Sequence, residues 1–347
     1  MSLSLEVGSW ALGVETPLDT LRMVAIELQD LTKDYAVGFW RPRPYRALDR
    51  LTLTIQAGEV FGFLGPNGAG KTTTLKLLMQ LIFPTSGRAE ILGKPVGDVA
   101  TRRRIGYLPE NPYFYDYLTA EELLTYFAQL LGVPSSDRAR RVTDLLDRVG
   151  LGRERRFQLR KFSKGMIQRV GIAQALLNDP EVIFLDEPMS GLDPLGRRDV
   201  RGLILELREQ GRTVFFSSHI LADAEALCSR VAVVAGGRLA ASGRLTELAE
   251  FRIRGWELVV ANVSPSALER LRPIATRLTE ISSGRYTVEL PLTETPAAVV
   301  AMLADAGASI VSLNPVRDTL EDFFVQQIAA AGAGARAETV GHGDARR

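Results

Sequence analysis

One cysteine, Cys228, and two histidines, His219 and His342, are all that 347 residues contain of the softer metal ligands. That supply is too small for a structural zinc site or a disulfide framework within one chain. Cys228 falls in an apolar helical pattern and reads as a buried thiol in a reducing compartment. No stretch approaches the roughly 18 consecutive apolar residues of a membrane-spanning helix, so work on a membrane would need a partner that crosses it. Residues 1–22 have no basic n-region and only a brief apolar piece around 10–14, which argues against a secretion signal. Charge of one sign is missing too. Lys+Arg number 42 against 41 Asp+Glu, without a dense basic block, so no nucleic-acid partner is indicated.

What is present centres on EVFGFLGPNGAGKTTTL, residues 59–75. A short apolar run, 60–64, enters Gly65, and Gly70-Lys71-Thr72-Thr73 opens a stretch with helical spacing. Strand, glycine loop and helix in that order meet the demands of phosphate binding. Glycines let consecutive N–H groups converge on one anion, and the helix adds the positive end of its dipole. Lys71 is then placed to reach the β- and γ-phosphates, and the Thr72 hydroxyl to ligate Mg²⁺.

Along the chain, 24–28 and 51–55 alternate as half-buried strands. Between them Pro42 and Pro44 suggest a longer surface loop over 36–47. Tyr35, just before it, is an aromatic able to stack on a base or simply to pack. Thr119 and Glu122 form a capping-box pattern, followed by a helix face of Leu123, Leu124, Phe127, Leu130 and Leu131. Val142, Leu145, Leu146 and Val149 mark another, closed by Gly150. Residues 112–160 therefore read as an all-helical insert. Its leading edge, Tyr113, Phe114, Tyr115 and Tyr117, holds more aromatics than one face can bury and predicts a contact surface.

The continuous apolar run 182–185 suits the centre of a parallel sheet, and it ends in Asp186-Glu187. An acid at the carboxyl end of such a strand can hold Mg²⁺ from across the crevice, and its neighbour can polarise an attacking water. A strand over 213–216 leads to Ser217-Ser218-His219, and 231–241 reads as a hairpin. Beyond about residue 250 the order β-α-β-β-α-β indicates a small α+β sandwich of ferredoxin-like type, then a helix over 319–329.

Taken in order, GPNGAGKTT, YLPEN, FSKGM, VIFLDEP, SGLDP and SSH resemble the nucleotide-binding subunit of an ABC transporter over 24–245, and 250–329 resembles the C-terminal domain of many ABC-2 type exporter ATPases. The resemblance implies an α/β fold: a P-loop NTPase with parallel core sheet, N-terminal antiparallel β subdomain and all-helical insert, plus the small C-terminal domain. The boundaries expected are an extension over 1–22, the ATPase domain over 23–249 with its helical subdomain near 112–160, the accessory domain over 250–329 and a disordered tail over 330–347.

It further implies ATP and Mg²⁺ as ligands. The phosphate loop takes in Gly65, Asn67, Gly68, Ala69, Gly70, Lys71, Thr72 and Thr73. Tyr35 matches the adenine-stacking ring, Glu187 the catalytic base and His219 the residue that contacts the γ-phosphate, while Thr72, Asp186 and Glu110 fall at metal positions. Ser163, Lys164, Gly165 and Met166 match the signature that caps ATP on the opposite subunit, and Asp193 would link the two sites. The expected partners are a second copy of this chain, head to tail, and an ABC-2 type permease that holds the dimer at the cytoplasmic face of the cell membrane. The chain departs from the pattern in FSKGM, where the serine and second glycine remain, and at Glu110, where most members have glutamine. A soluble ABC ATPase acting on nucleic acid or ribosomes is the competing class; the coiled coil or second ATPase domain of such proteins is not found in the sequence.

Overall fold

The computed structural model describes residues 23–38, 40, 42–248, 253–317 and 329. The expected extension over 1–22, the tail over 330–347 and, apart from its last residue, the helix over 319–329 lie outside the described residues. The chain begins with β1 (Val24–Val37), β2 (Arg43–Gln56), β3 (Val60–Leu64), α1 (Lys71–Leu78), β4 (Ser86–Ile91), β5 (Lys94–Pro95), α2 (Val99–Arg102) and β6 (Ile105–Leu108). Helices α3 (Ala120–Leu130) and α4 (Ser135–Arg148), a 3-10 turn (Leu159–Lys161) and α5 (Lys164–Ala175) follow. Next are β7 (Val182–Asp186), α6 (Pro194–Glu209), β8 (Thr213–Ser218), α7 (Leu221–Leu227), β9 (Arg230–Ala235), β10 (Arg238–Arg244) and α8 (Leu245–Leu248). The last described elements are β11 (Ile253–Ala261), α9 (Pro265–Leu271), β12 (Arg277–Ser282), β13 (Arg285–Pro291), α10 (Pro296–Asp305) and β14 (Ser309–Arg317).

The described strands form three sheets. An antiparallel sheet has the order β2-β1-β4-β5, and the central sheet runs β10-β9-β3-β8-β7-β6, parallel except for the hairpin strand β10. Its inner strands alternate between two cores. Val60 and Leu64 of β3 and Ile183 and Leu185 of β7 face the helical side; Phe61, Phe63, Val182 and Phe184 face α1 and the antiparallel sheet. A strand covered on both faces has no polar alternation, which is why the sequence shows β7 as an unbroken apolar run.

The segment expected as a loop over 36–47 is instead the outer half of a hairpin: β1 continues to Val37 and β2 begins at Arg43, with Ala36 opposite Pro44. β2 lies at the sheet edge, where a proline's missing N–H costs no ladder bond. A second correction concerns α3. The full capping box of Thr119 and Glu122 forms, but the buried stripe is Ala120, Leu123, Leu124 and Ala128, while Leu130 and Leu131 are exposed. Helix α4 buries Val142, Leu145 and Leu146 as its spacing requires. Cys228 caps α7, and burial pushes its thiol up.

The final four strands pair as β12-β13-β11-β14, all antiparallel, and α9 and α10 supply Ala267, Leu271, Val299 and Leu303 to a separate core with Leu258, Val260 and Val288. Among the described residues no helix is long and apolar enough to cross a membrane.

Candidate active site

Parallel strands discharge their loops at one end of a sheet, so the segments after β3, β6, β7 and β8 meet at the carboxyl edge. A cavity of about 460 Å³ lies there. It brings together Asn67, Gly68, Gly70, Lys71, Thr72, Thr73, Glu110, Glu187, His219 and Tyr35, ten positions singled out from sequence. Gly65, Ala69 and Asp186 are buried beside it rather than in its lining.

The phosphate loop is shaped by close approach. A Cβ on Gly65 would lie 2.3 Å from the Val234 carbonyl oxygen, and one on Gly70, at φ 105°, would lie 2.7 Å from that of Ala47. Lys71 opens α1 and is almost wholly buried. Its Nζ donates to the Gly65 carbonyl at 2.7 Å and stands 3.4 Å from Glu187 Oε1. On the other side of that carboxylate, Oε2 is 2.9 Å from His219 Nδ1. Lys71, Glu187 and His219 thus form one polar chain across the cavity floor. Glu187 holds its place at φ 49°, a left-handed conformation that costs a non-glycine residue on the order of 1 kcal/mol and is typical of functional positions.

Two groups that sequence reasoning missed fix these acids. Ser217 Oγ donates to Asp186 Oδ1 at 2.6 Å and accepts from the Glu187 N–H at 3.0 Å, so one hydroxyl orients the Asp186 carboxylate and holds the Glu187 backbone. Its signal was a serine inside an otherwise apolar strand, since a wholly buried hydroxyl needs a partner. Gln168 Nε2, on α5, adds a bond to the Glu187 carbonyl at 3.3 Å. A third omission is Tyr45. The β1–β2 register sets it directly opposite Tyr35, and both rings line the cavity. Lys33 Nζ sits 5.3 Å from the Tyr35 ring centroid.

Asp186 is fully buried, and burial pushes its carboxyl up, opposed by the Ser217 hydroxyl and the nearby Thr72 hydroxyl and reinforced by Glu110 and Glu187. Its Oδ2 is buried with no hydrogen-bond partner. An orphaned carboxylate oxygen near a threonine hydroxyl, at the edge of a phosphate cradle, is the donor set of a hard divalent cation, so these residues fit Mg²⁺.

The signature residues are elsewhere. Ser163, Lys164, Gly165 and Met166 do not line the cavity. Ser163 caps α5, its Oγ accepting from the Met166 N–H at 3.2 Å, and Ser163 and Lys164 are exposed. The Lys164 stem packs over Gly191, and Gly165 lies against Leu192. Asp193, two residues on, caps α6 through the Gly196 N–H at 3.0 Å.

A nucleotide-sized cavity at the carboxyl edge of a parallel sheet, floored by a lysine and an acid pair, defines a P-loop ATPase. Comparison with known proteins sharpens this. Residues 48–190 match the family model described as ABC transporter. An uncharacterized ABC transporter ATP-binding protein of Synechocystis sp. is 45% identical over 94% of this chain and 92% of its own length. The bacitracin transport ATP-binding protein of Bacillus licheniformis is 42% identical over 62% of this chain and 68% of its own. Among solved structures, the ATP-binding subunit of an ABC transporter is 34% identical with a TM-score of 0.58, covering 65% of this chain and 91% of that one. A dimeric ATP-binding cassette bound to ADP and Pi in a post-hydrolysis state is 28% identical, with a TM-score of 0.59, covering 63% and 98%. The chain belongs to the ABC transporter ATP-binding subunits: it binds ATP and hydrolyses it to drive transport.

Proposed function

We propose that two copies of this chain power export through a separate ABC-2 type permease at the cytoplasmic face of the cell membrane. Relatives named for fluoroquinolone export in Mycobacterium tuberculosis and Nod factor export in Cupriavidus metallidurans support the direction. The observation that carries the catalytic reading is the contact chain Lys71–Glu187–His219 across the cavity floor, in which Lys71 and Glu187 are buried and His219 is exposed.

In this reading N–H groups of the loop from Asn67 to Thr73 cradle the phosphates, Lys71 moves its charge from Glu187 to the β- and γ-phosphates, and Tyr35, with Tyr45 beside it, receives the adenine. Glu187 takes the proton of the attacking water, and His219, on its far side, contacts the γ-phosphate. Thr72 and Asp186, with Glu110 nearby, would hold Mg²⁺, which supplies charge neutralisation on the phosphate oxygens when bound. Ser163, Lys164, Gly165 and Met166 act on the ATP of the second copy, and Asp193, on the loop they pack against, links the two sites. The accessory domain, 250–329, is set apart by its own core and either steadies the dimer or recognises cargo. Deleting residues 250–347 separates the two: loss of dimer together with ATPase activity marks the first, and loss of transport alone the second.

Tyr113, Tyr115 and Tyr117 are exposed, and Phe114 tucks against Phe127 at 6.3 Å to anchor them. This edge faces the permease; alanine at the three tyrosines is expected to lower transport while ATPase activity persists, and unchanged transport would remove the surface from the account. The test of the catalytic reading is Glu187→Gln, which keeps the shape of the side chain but not its basicity. ATP binding should persist while turnover falls at least about a hundredfold, and closed dimer should accumulate with ATP. Turnover at the wild-type rate would contradict the role given to Glu187.

A further inference from the structure

A nucleoside triphosphate brings about four negative charges into this cavity, yet the lining is short of positive charge. Apart from Tyr35 and Tyr45, its ionisable side chains are Lys71 against Glu110 and Glu187, together with His219. Lys71 is already 3.4 Å from Glu187, and the Asp186 carboxylate lies just behind.

The three acids are not equivalent. Asp186 and Glu187 are buried and tied to Ser217 at the end of β7. Glu110 is exposed, two residues beyond β6, where Leu108 pairs with Leu185 and so brings the two strand ends side by side. Among the described residues no hydrogen bond or ion pair neutralises Glu110. Its charge nevertheless reaches Asp186, whose carboxyl it helps to push up. An acid with no structural partner, facing the phosphate end of a cavity already negative, opposes any ligand that arrives as a bare polyanion.

We propose that Glu110 makes nucleotide entry conditional on the metal: its carboxylate repels metal-free ATP and is relieved when a divalent cation arrives with the phosphates, so the chain selects Mg-ATP over ATP. The inference rests on the reading that this cavity holds the triphosphate with Mg²⁺. A glutamine at this position has the same reach without the charge. Glu110 therefore acts as a charge filter on which form of the nucleotide is admitted.

The experiment is equilibrium titration of the full chain with a fluorescent ATP analogue, once with excess Mg²⁺ and once with EDTA, for wild type, Glu110→Gln and Glu110→Asp. Glu110→Gln should tighten binding in EDTA by about tenfold, the scale of one like charge at a water-exposed site, and so shrink the preference for the metal-bound nucleotide, with the EDTA arm changing more than the Mg²⁺ arm. Glu110→Asp, which keeps the charge, should behave as wild type in EDTA. An unchanged EDTA arm overturns the proposal, and so does a change confined to the Mg²⁺ arm, which would make Glu110 a metal ligand only. Failure of wild type to bind even with Mg²⁺ would instead overturn the reading of the cavity itself.

Discussion

The phosphate-loop side and the signature side of this molecule are built to different standards. Around the loop Lys71, Asp186 and Glu187 are buried, and Ser217 ties the Asp186 carboxylate to the Glu187 N–H. At the signature, Ser163 and Lys164 stand in solvent, and the Ser163 hydroxyl is spent on its own helix cap. A group meant to meet phosphate within its own chain would be expected in the cavity; these residues are outside it. The difference is the one that the proposed head-to-tail dimer requires, with half of a reaction site on each of two surfaces of one chain.

The largest effect that would break this contrast is expected at Ser163. Ser163→Arg places a bulky cation on an exposed position, so the chain should fold with the loss of one helix cap, about 1 kcal/mol. ATPase activity should nevertheless fall at least about a hundredfold, while the affinity of the isolated chain for ATP stays within a few fold. A parallel loss of affinity, measured by titration, would place the signature in its own chain's site. Next in size is Tyr45→Ala. If the two rings opposite each other on the hairpin share the base, removing Tyr45 should weaken ATP binding by about tenfold, as for a lost stacking contact of about 1–2 kcal/mol, with little change in turnover at saturation.

The smallest expected effect sharpens the description of the built side. Asp49 is buried between Arg238 at 2.6 Å and Arg46 at 3.3 Å, and its N–H donates to Gly237, whose own N–H donates to Ala69 of the phosphate loop. Burial pushes the carboxyl up, but the Arg238 hydrogen bond and charge, with Arg46 and Arg50, hold it below the usual carboxylate range. A depressed pKa in the folded state means the stabilisation is present at neutral pH, above the unfolded value, and is lost as pH falls through the depressed one. Asp49→Asn should therefore lower stability by about 1–3 kcal/mol at pH 7, and by less under acid, in paired denaturation curves. An equal deficit at both pH values would mean that charge is not what Asp49 contributes.

How far the sequence carried the description follows from the same contrast. The buried side was legible because burial leaves a pattern: β7 shows as an apolar run ending in Asp186-Glu187, and the loop shows through Gly65 and Gly70, where a Cβ would meet backbone oxygen. Tyr45 was hidden because Pro42 and Pro44 suggested a loop, and only the edge position of β2 makes the proline harmless. Leu130 and Leu131 were assigned to the α3 stripe because periodicity cannot say how wide the covering surface is; the stripe that is covered runs through the smaller Ala120 and Ala128. Ser217 could have been suspected, since a hydroxyl in a buried strand must bond to something, but its two partners are the last residue of β7 and the one after it, and only the sheet order supplies them.

The most direct measurement of the two-half account is complementation in mixed dimers. Lys71→Ala removes the phosphate-loop half and leaves the signature; Ser163→Arg does the reverse. Each alone should be inactive. Mixed in equal amounts, about half the dimers carry one of each, and each of these has one site with both halves intact, so about a quarter of wild-type ATPase activity should return. Absence of any recovery, with mixed dimers shown to form, would contradict a site shared between two chains.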